Sequence, residues 1–179
     1  MNFQLNPEQT AFEDAVHDFA KAELAKGALE RAHNPNFPWQ IAEQLSQQGL
    51  LGITLQEEDG GQGGTLIDAV IAIQTIGLYC PKSADIVQAG NFGPIRSFAE
   101  YANTEQKARY LPDLLAGKAL ISLGMSEPDA GSAVTELKTS ARQVDGGYIV
   151  NGSKVFSTHS PDAKVFLIYL RYGLGTEGI

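Results

Sequence analysis

Two short segments of the chain carry residue types that can approach a phosphate group or a planar heterocycle closely. Residues 125–132 read MSEPDAGS, and residues 151–158 read NGSKVFST. Both segments are rich in glycine and hydroxyl side chains, and each follows an apolar run. Because glycine and serine place little bulk beside the backbone, N–H groups and hydroxyls can contact a ligand directly. The two segments therefore predict a binding site for a ligand that has a phosphate or an aromatic ring.

In this order and at this separation, the two segments resemble the flavin-binding segments of the acyl-CoA dehydrogenase family, whose usual forms read TEPxAGSD and NGxKxWIT. The resemblance extends over the whole chain. Residues 5–9 (LNPEQ) resemble the family's opening helix, residues 37–64 its second block, and residues 105–118 the stretch before its β domain. The chain is thus identified as similar to the first part of such a protein.

The resemblance implies a three-part architecture, in which a helical domain precedes a β-barrel domain and a four-helix domain. We expect residues 1–117 to form the N-terminal helical domain and residues 118–179 the first part of the middle β domain, with the C-terminal helical domain absent. The fold class is therefore α+β, with an incomplete antiparallel β-barrel. The family's catalytic glutamate belongs to the absent domain, so no catalytic residue is assigned in this chain.

The activity implied by the resemblance is FAD-dependent α,β-dehydrogenation of acyl-CoA thioesters to 2-enoyl-CoA. By the same resemblance, Met125 and Ser126 lie along the pyrimidine side of the flavin, Phe156 packs on the ring, and Thr158 lies beside N5. Ser132 is expected to contact the pyrophosphate of FAD and the pantetheine of the substrate. The full set of expected cofactor-binding residues is Leu123, Met125, Ser126, Gly131, Ser132, Phe156, Ser157 and Thr158.

The chain departs from the family pattern at several positions of these segments. Ser126 replaces threonine and keeps the hydroxyl, whereas Phe156 replaces tryptophan and loses the indole N–H donor. Ala133 stands where aspartate is usual, and His159 and Ser160 stand where Asn-Gly is usual. Two alternatives therefore stay open. One is a flavin-dependent monooxygenase or nitroalkane-oxidising relative, and the other is a non-catalytic subunit of a hetero-oligomeric dehydrogenase.

Composition excludes several other classes of protein. The 179 residues are 43% hydrophobic and 19% charged, which is ordinary globular composition. A net charge of -8 argues against nucleic acid and anionic membranes as partners. Cys80 is the single cysteine, so no internal disulfide forms, and no cysteine and histidine cluster has metal-ligand spacing. There is no membrane-spanning run and no signal sequence, so a cytoplasmic location follows by default.

The partners are those that the resemblance implies. They are an acyl-CoA substrate, an electron-transfer flavoprotein as electron acceptor, and further subunits of a homo- or hetero-oligomer. Because the catalytic base is expected outside these residues, we also expect the 179-residue chain alone to be inactive and to bind FAD poorly.

The first ~115 residues show helical periodicity. Asn6, Pro7 and Gln9 have the spacing of a capping box with proline at the first helical position. Thr65 and Asp68 are spaced to start a helix that is apolar on nearly all sides and should be central, and Thr104 is expected to cap the last helix. The predicted core residues of the central helix are Ile67, Val70, Ile71 and Ile76. The glycines at 60–64 lack a P-loop lysine and predict a flexible connection.

After Gly117 the pattern changes to short strands, predicted at 119–125, 137–144, 148–150 and 164–172. Asp145-Gly146-Gly147 and Asn151-Gly152 both predict hairpin turns, the second of type I′. The stretch around Pro128 is also compatible with a plain β-turn. Residues 171–179 are expected to turn into a further strand. Helices followed by strands, without βαβ alternation, argue against a Rossmann-type site.

Overall fold

The computed structural model describes residues 4–173. Contacts within the chain divide it into two compact units, of which the first ends at Ala119 and the second begins at Leu120. The first unit is helical and the second is built from short strands and turns. The predicted hairpin and further strand at 171–179 lie for the most part outside the described residues. No helix of the described chain has the length and apolarity needed to cross a membrane.

Seven α-helices make up the first unit among the described residues. They are α1 (Pro7–Phe19), α2 (Ala28–His33), α3 (Trp39–Gln47), α4 (Leu66–Gly77), α5 (Pro81–Ala89), α6 (Pro94–Tyr101) and α7 (Thr104–Leu115). A π-helical turn (Ala20–Leu24) extends α1, and a short 3₁₀ turn (Glu57–Asp59) follows α3. Helix α4 packs against α1 and α5, which makes it the centre of the unit.

Local side-chain hydrogen bonds start three of these helices. Asn6 and Gln9 form the predicted capping box on α1, and Thr65 and Asp68 form the one predicted on α4. Helix α7 is capped by Asn103, which pairs with Gln106 in a third capping box, rather than by Thr104. The prediction for Thr104 was wrong because asparagine and threonine are both good N-caps, and only the position of the glutamine three residues on selects Asn103.

The central helix α4 is buried on one side only. Ile71 and Ile76 are 6% and 0% exposed, as predicted for core residues. Ile67 and Val70 are 56% and 50% exposed, so their assignment to the core was wrong within this chain. The apolar sequence of α4 cannot separate the two faces, because both carry isoleucine or valine. Their difference arises from which face α1 and α5 cover.

The glycine-rich segment before α4 is packed rather than flexible, which corrects the sequence-based prediction. Its backbone N–H groups donate to residues 52–56: Gln62 to Gly52 at 2.9 Å, Gly63 to Leu55 at 2.8 Å, and Gly64 to Ile53 at 2.7 Å. A Cβ on Gly61 would lie 2.3 Å from the carbonyl oxygen of Leu55. Glycine is therefore required here by close approach of two backbone segments.

The second unit contains four strands among the described residues. They are β1 (Ile121–Gly124), β2 (Ser140–Val144), β3 (Gly147–Asn151) and β4 (Val165–Ile168). Strands β2 and β3 form an antiparallel hairpin through the predicted Asp145-Gly146 turn. Strands β1 and β4 pair in parallel, with Leu123 opposite Leu167. The sheets are therefore mixed, and no closed barrel is formed by the described strands.

The Asn151-Gly152 pair does not form the predicted hairpin turn. Strand β3 ends at Asn151 and pairs only with β2, and the chain continues without a strand until β4. A Cβ on Gly152 would lie 2.5 Å from the Cβ of Thr139. This glycine thus allows close packing on Thr139, which a local turn signal cannot reveal.

Candidate functional site

The first segment of the candidate site follows directly from strand β1. Met125 and Ser126 come after the strand and are half-buried. A tight turn then closes around Pro128, with Glu127 N–H donating to the Ala130 carbonyl at 2.9 Å and Ala130 N–H donating back at 3.2 Å. The structure therefore contains the β-turn that was compatible with the sequence, and Pro128 occupies the favoured second position of the turn from Glu127 to Ala130.

The second segment leaves strand β3 and presents an aromatic ring to solvent. Phe156 is 92% exposed, and its backbone has φ 57°, in the left-handed region. His159, three residues on, also has a positive φ of 60°. Such conformations cost about 1–2 kcal/mol per non-glycine residue, and they persist only where the surroundings impose them. Strained residues of this kind cluster at active sites and ligand-binding loops, so Phe156 is a candidate ligand contact.

Three hydrogen bonds hold the second segment beside the first segment and strand β1. Val155 N–H donates to the Ser126 carbonyl at 2.9 Å, and the Lys154 ammonium donates to the Met125 carbonyl at 2.9 Å. The hydroxyl of Ser122, which is 1% exposed, donates to the Thr158 carbonyl at 2.6 Å. The stretch before the Pro128 turn is therefore held beside the stretch that carries Phe156 and Thr158.

A buried carboxylate lies at this junction. Glu127 is 7% exposed and accepts from the Lys154 ammonium at 2.8 Å, from Thr139 N–H at 2.8 Å and from Lys138 N–H at 2.6 Å. Burial by itself raises the pKa of this carboxyl, but the lysine and the two N–H donors outweigh burial and lower the pKa to about 2. Glu127 is therefore ionised at neutral pH and is paired rather than available as a base.

The structure brings together most of the predicted site residues. Met125 and Ser126 lie beside the segment of Phe156, Ser157 and Thr158 through the bonds described above. Leu123 is half-buried in β1, on which the first segment is built.

Gly131 and Ser132 lie apart from this junction. Both are exposed and follow the Pro128 turn. A Cβ on Gly131 would meet no atom of the described chain within 4 Å, so open space adjoins the backbone here. His159, which stands where the family usually has asparagine, is half-buried.

The residues present fit a flat aromatic ligand that carries a polar tail. Phe156 carries an exposed aromatic ring, the two adjoining stretches carry short hydroxyl side chains at Ser126 and Thr158, and open space adjoins the backbone at Gly131. Aromatic faces stack on planar rings, and hydroxyls and N–H groups donate to heterocycle and phosphate oxygens. A metal centre has no comparable support, because residues 4–173 hold no group of three His, Cys, Asp or Glu side chains suited to a metal ion.

The residues that hold the two segments together were not predicted from the sequence. Ser122, Glu127 and Lys154 were not assigned a role, although Glu127 and Lys154 lie inside the two segments. The available signal was weak, because the first segment carries two acidic residues, Glu127 and Asp129, and only the second segment carries a single charge, Lys154. Ser122 gave no signal, because one serine in an apolar run is common.

A helical unit followed by a unit of short strands with two joined hydroxyl- and glycine-rich segments makes this an α+β protein. The N-terminal domain profile of acyl-CoA dehydrogenases matches residues 6–118, and the middle domain profile of the same family matches residues 122–179. The chain belongs to the acyl-CoA dehydrogenase family.

Individual relatives agree with this membership. A short-chain-specific acyl-CoA dehydrogenase of Clostridium acetobutylicum is 31% identical over 100% of this chain and 48% of its own length. A 3-sulfinopropanoyl-CoA desulfinase of Variovorax paradoxus is 31% identical over 94% of this chain and 42% of its own length. A glutaryl-CoA dehydrogenase of Mycobacterium smegmatis, solved with FADH2, superposes with a TM-score of 0.85 at 25% identity, covering 94% of this chain and 43% of that one. The chain therefore spans less than half the length of these relatives.

Proposed function

We propose that the protein containing this chain is an FAD-dependent acyl-CoA dehydrogenase, which converts acyl-CoA thioesters to 2-enoyl-CoA. The observation that carries the proposal is the joining of the two segments at Val155 N–H and the Ser126 carbonyl, 2.9 Å apart. This contact puts the Ser126 hydroxyl and the Phe156 ring on neighbouring stretches, as the flavin-binding assignment requires. The glutaryl-CoA dehydrogenase relative solved with FADH2 supports the same cofactor.

The proposed roles follow from side-chain chemistry. Met125 and Ser126 bind the polar edge of the isoalloxazine ring, Phe156 packs on its face, and Thr158 lies at the reactive edge. Leu123 and Ser157 support these contacts, and Gly131 and Ser132 contact the pyrophosphate. When bound, FAD supplies a hydride acceptor for the β hydrogen of the substrate. The chain's own residues bind and orient the ring and exclude water from it.

The proposed organisation assigns residues 1–117 to the N-terminal helical domain and residues 118–179 to the first part of a middle β-barrel. No acidic residue of these domains is assigned as the base that removes the α proton.

The proposed substrate is an acyl-CoA, and Ser132 is the residue proposed to contact its pantetheine. An electron-transfer flavoprotein is the proposed acceptor and an oligomer the proposed state. The cytoplasmic location also stays a prediction.

The proposal is tested on the purified protein that contains this chain. We expect bound FAD and thioester-dependent reduction of an artificial dye with a panel of acyl-CoAs. Oxygen-dependent product formation without dye reduction would favour a monooxygenase instead. A protein that neither retains FAD nor reduces the dye would favour a non-catalytic subunit.

The residue assignments need a separate measurement. Ser126→Ala and Thr158→Val each remove one hydroxyl, and loss of a hydrogen bond to a buried polar ring costs about 1–3 kcal/mol. We expect weaker FAD retention and a shifted flavin spectrum in both variants. Ser153→Ala is the matched control, since Ser153 is an exposed hydroxyl of the same segment that has no assigned role. Wild-type FAD binding in both test variants would contradict the assignments.

A further inference from the structure

The ion pair between Glu127 and Lys154 spans the two segments of the site. Its partners are 27 residues apart in sequence, with 2.8 Å between the Lys154 Nζ and Glu127 Oε1 atoms. The Glu127 side chain is 5% exposed and the Lys154 side chain is 10% exposed. Removing two charges from water is costly unless their remaining hydrogen-bonding capacity is also satisfied.

Here that capacity is largely used, and it is used on backbone atoms of the site. The Lys154 ammonium also donates to the Met125 carbonyl at 2.9 Å, directly before Ser126. The Glu127 carboxylate accepts two backbone N–H groups, from Lys138 and Thr139, so it also anchors the chain that enters β2. The pair thus ties three stretches of backbone to one point.

The same pair adjoins the strained backbone that presents Phe156. Lys154 lies two residues before Phe156, and the bond from Ser122 to Thr158 lies two residues after it. A non-glycine residue stays in the left-handed region where the surrounding structure imposes that conformation. Contacts of Lys154 and Val155 supply this restraint on one side, and that of Ser122 supplies it on the other.

We infer that Glu127 and Lys154 are positioning residues for the flavin, which set the spacing between the Met125–Ser126 backbone and the Phe156–Thr158 stretch. This inference rests on the proposed function, because it concerns the two stretches assigned to the flavin ring. Neither side chain is placed in contact with the ring. They act through the Met125 carbonyl and through the backbone that carries Phe156, so a change in their length or charge moves the groups that contact the flavin.

Three variants of the flavin-loaded protein that contains this chain test the inference. Lys154→Met removes both hydrogen bonds of the ammonium. Glu127→Gln keeps the shape and an acceptor oxygen of the side chain but removes its charge. Lys154→Arg keeps the charge but lengthens the side chain that joins the two segments. The control pair is Asp129→Asn and Lys138→Met. Asp129 and Lys138 form an ion pair of 2.9 Å in the same unit, with side chains 72% and 73% exposed, and that pair does not join the two segments.

The measurements are the FAD dissociation constant, the visible absorption spectrum and reduction potential of the bound flavin, and folding by circular dichroism. We expect Lys154→Met and Glu127→Gln to weaken FAD binding by about tenfold or more, the effect of one charged hydrogen bond. Lys154→Arg should bind FAD with intermediate affinity and shift the absorption bands, because the spacing has changed. Asp129→Asn and Lys138→Met should keep the wild-type affinity and spectrum.

A merely structural role gives a different pattern. Variants that melt earlier but, while folded, keep the wild-type affinity, spectrum and potential would overturn the inference. If Lys154→Met and Glu127→Gln fail to fold, Lys154→Arg decides, and a wild-type spectrum in that variant overturns it. Ser126→Ala and Thr158→Val separate the two proposals. If they weaken FAD binding while the variants at Glu127 and Lys154 do not, only the positioning role fails. If neither set of variants has an effect, the flavin assignment itself fails.

Discussion

The ionisation of Glu127 makes the stability of the second unit depend on pH. The folded-state pKa is about 2, below the ordinary value of 4.5. A carboxyl with a lowered pKa stabilises the fold fully above its unfolded pKa, and this stabilisation is lost as the pH falls through the folded value. The stabilising effect of Glu127 is therefore present above about pH 4.5 and decreases toward pH 2.

Thermal melting of wild type and Glu127→Gln at a series of pH values checks this expectation. The two melting temperatures should differ most above pH 4.5 and converge toward pH 2, because protonation removes from wild type the charge that the substitution removes at every pH. If the difference between the two melting temperatures stayed constant over this range, the lowered pKa of Glu127 in its pair with Lys154 would be contradicted.

At the scale of one residue, substitution of Phe156 should affect flavin binding but not the stability of the fold. Because the ring is 92% exposed, Phe156→Ala removes little buried surface, and we expect the free energy of unfolding to change by less than about 0.5 kcal/mol. Flavin binding should nevertheless weaken, since the aromatic contact with the ring is lost. Tyr148→Ala, at a residue 59% exposed in β3, is the aromatic control and should leave flavin binding unchanged. Unaltered FAD affinity in Phe156→Ala would argue against the stacking role.

At the scale of the element, α4 offers a comparison of one residue type on two faces. Ile71 is 6% exposed and Ile67 is 56% exposed. Ile71→Ala should cost about 2–5 kcal/mol through lost burial and a cavity, whereas Ile67→Ala should cost less than about 1 kcal/mol. Urea unfolding of the 179-residue chain, followed by the fluorescence of its single tryptophan, measures both. Equal costs would show that the outer face of α4 is covered as well.

The start of α7 provides a second test at this scale. The Asn103 side chain accepts from Gln106 N–H at 2.9 Å, and the Gln106 side chain accepts from Asn103 N–H at 3.0 Å. Asn103→Ala should therefore cost about 1 kcal/mol, the usual value of an N-cap. Thr104→Ala is the control, because Thr104 is the first helical residue rather than the cap. The same urea experiment compares the two variants. A larger loss of unfolding free energy in Thr104→Ala than in Asn103→Ala would show that Thr104 is the N-cap.

At the scale of the whole molecule, the 179-residue chain should not catalyse dehydrogenation alone. The chain spans 43–48% of the length of the first relatives that it matches, and the proposed base is assigned outside it. A flavin on the exposed Phe156 ring would keep one face in water and gain little from burial. Reconstitution with FAD, followed by assays of flavin content and dye reduction, should give little of either. Stoichiometric flavin with acyl-CoA-dependent reduction would place the base within this chain.

Features that arise from neighbouring residues could be predicted from the amino-acid sequence. The capping boxes at Asn6 and Thr65, the Asp145-Gly146 hairpin and the change from helices to strands are all present in the structure. Each depends on hydrogen bonds or backbone preferences within a few residues, so its signal is complete in a short window of sequence. The family resemblance predicted which two segments bind the flavin, and that assignment stays a prediction.

Contacts between residues far apart in the chain became apparent only in the folded structure. It selected the face of α4 that is buried, the parallel pairing of β1 with β4, and the close packing of Gly152 on Thr139. It also paired Glu127 with Lys154 across 27 residues. Burial and pairing depend on what other elements cover, and a charge in a turn looks the same in sequence whether water or an opposite charge will face it.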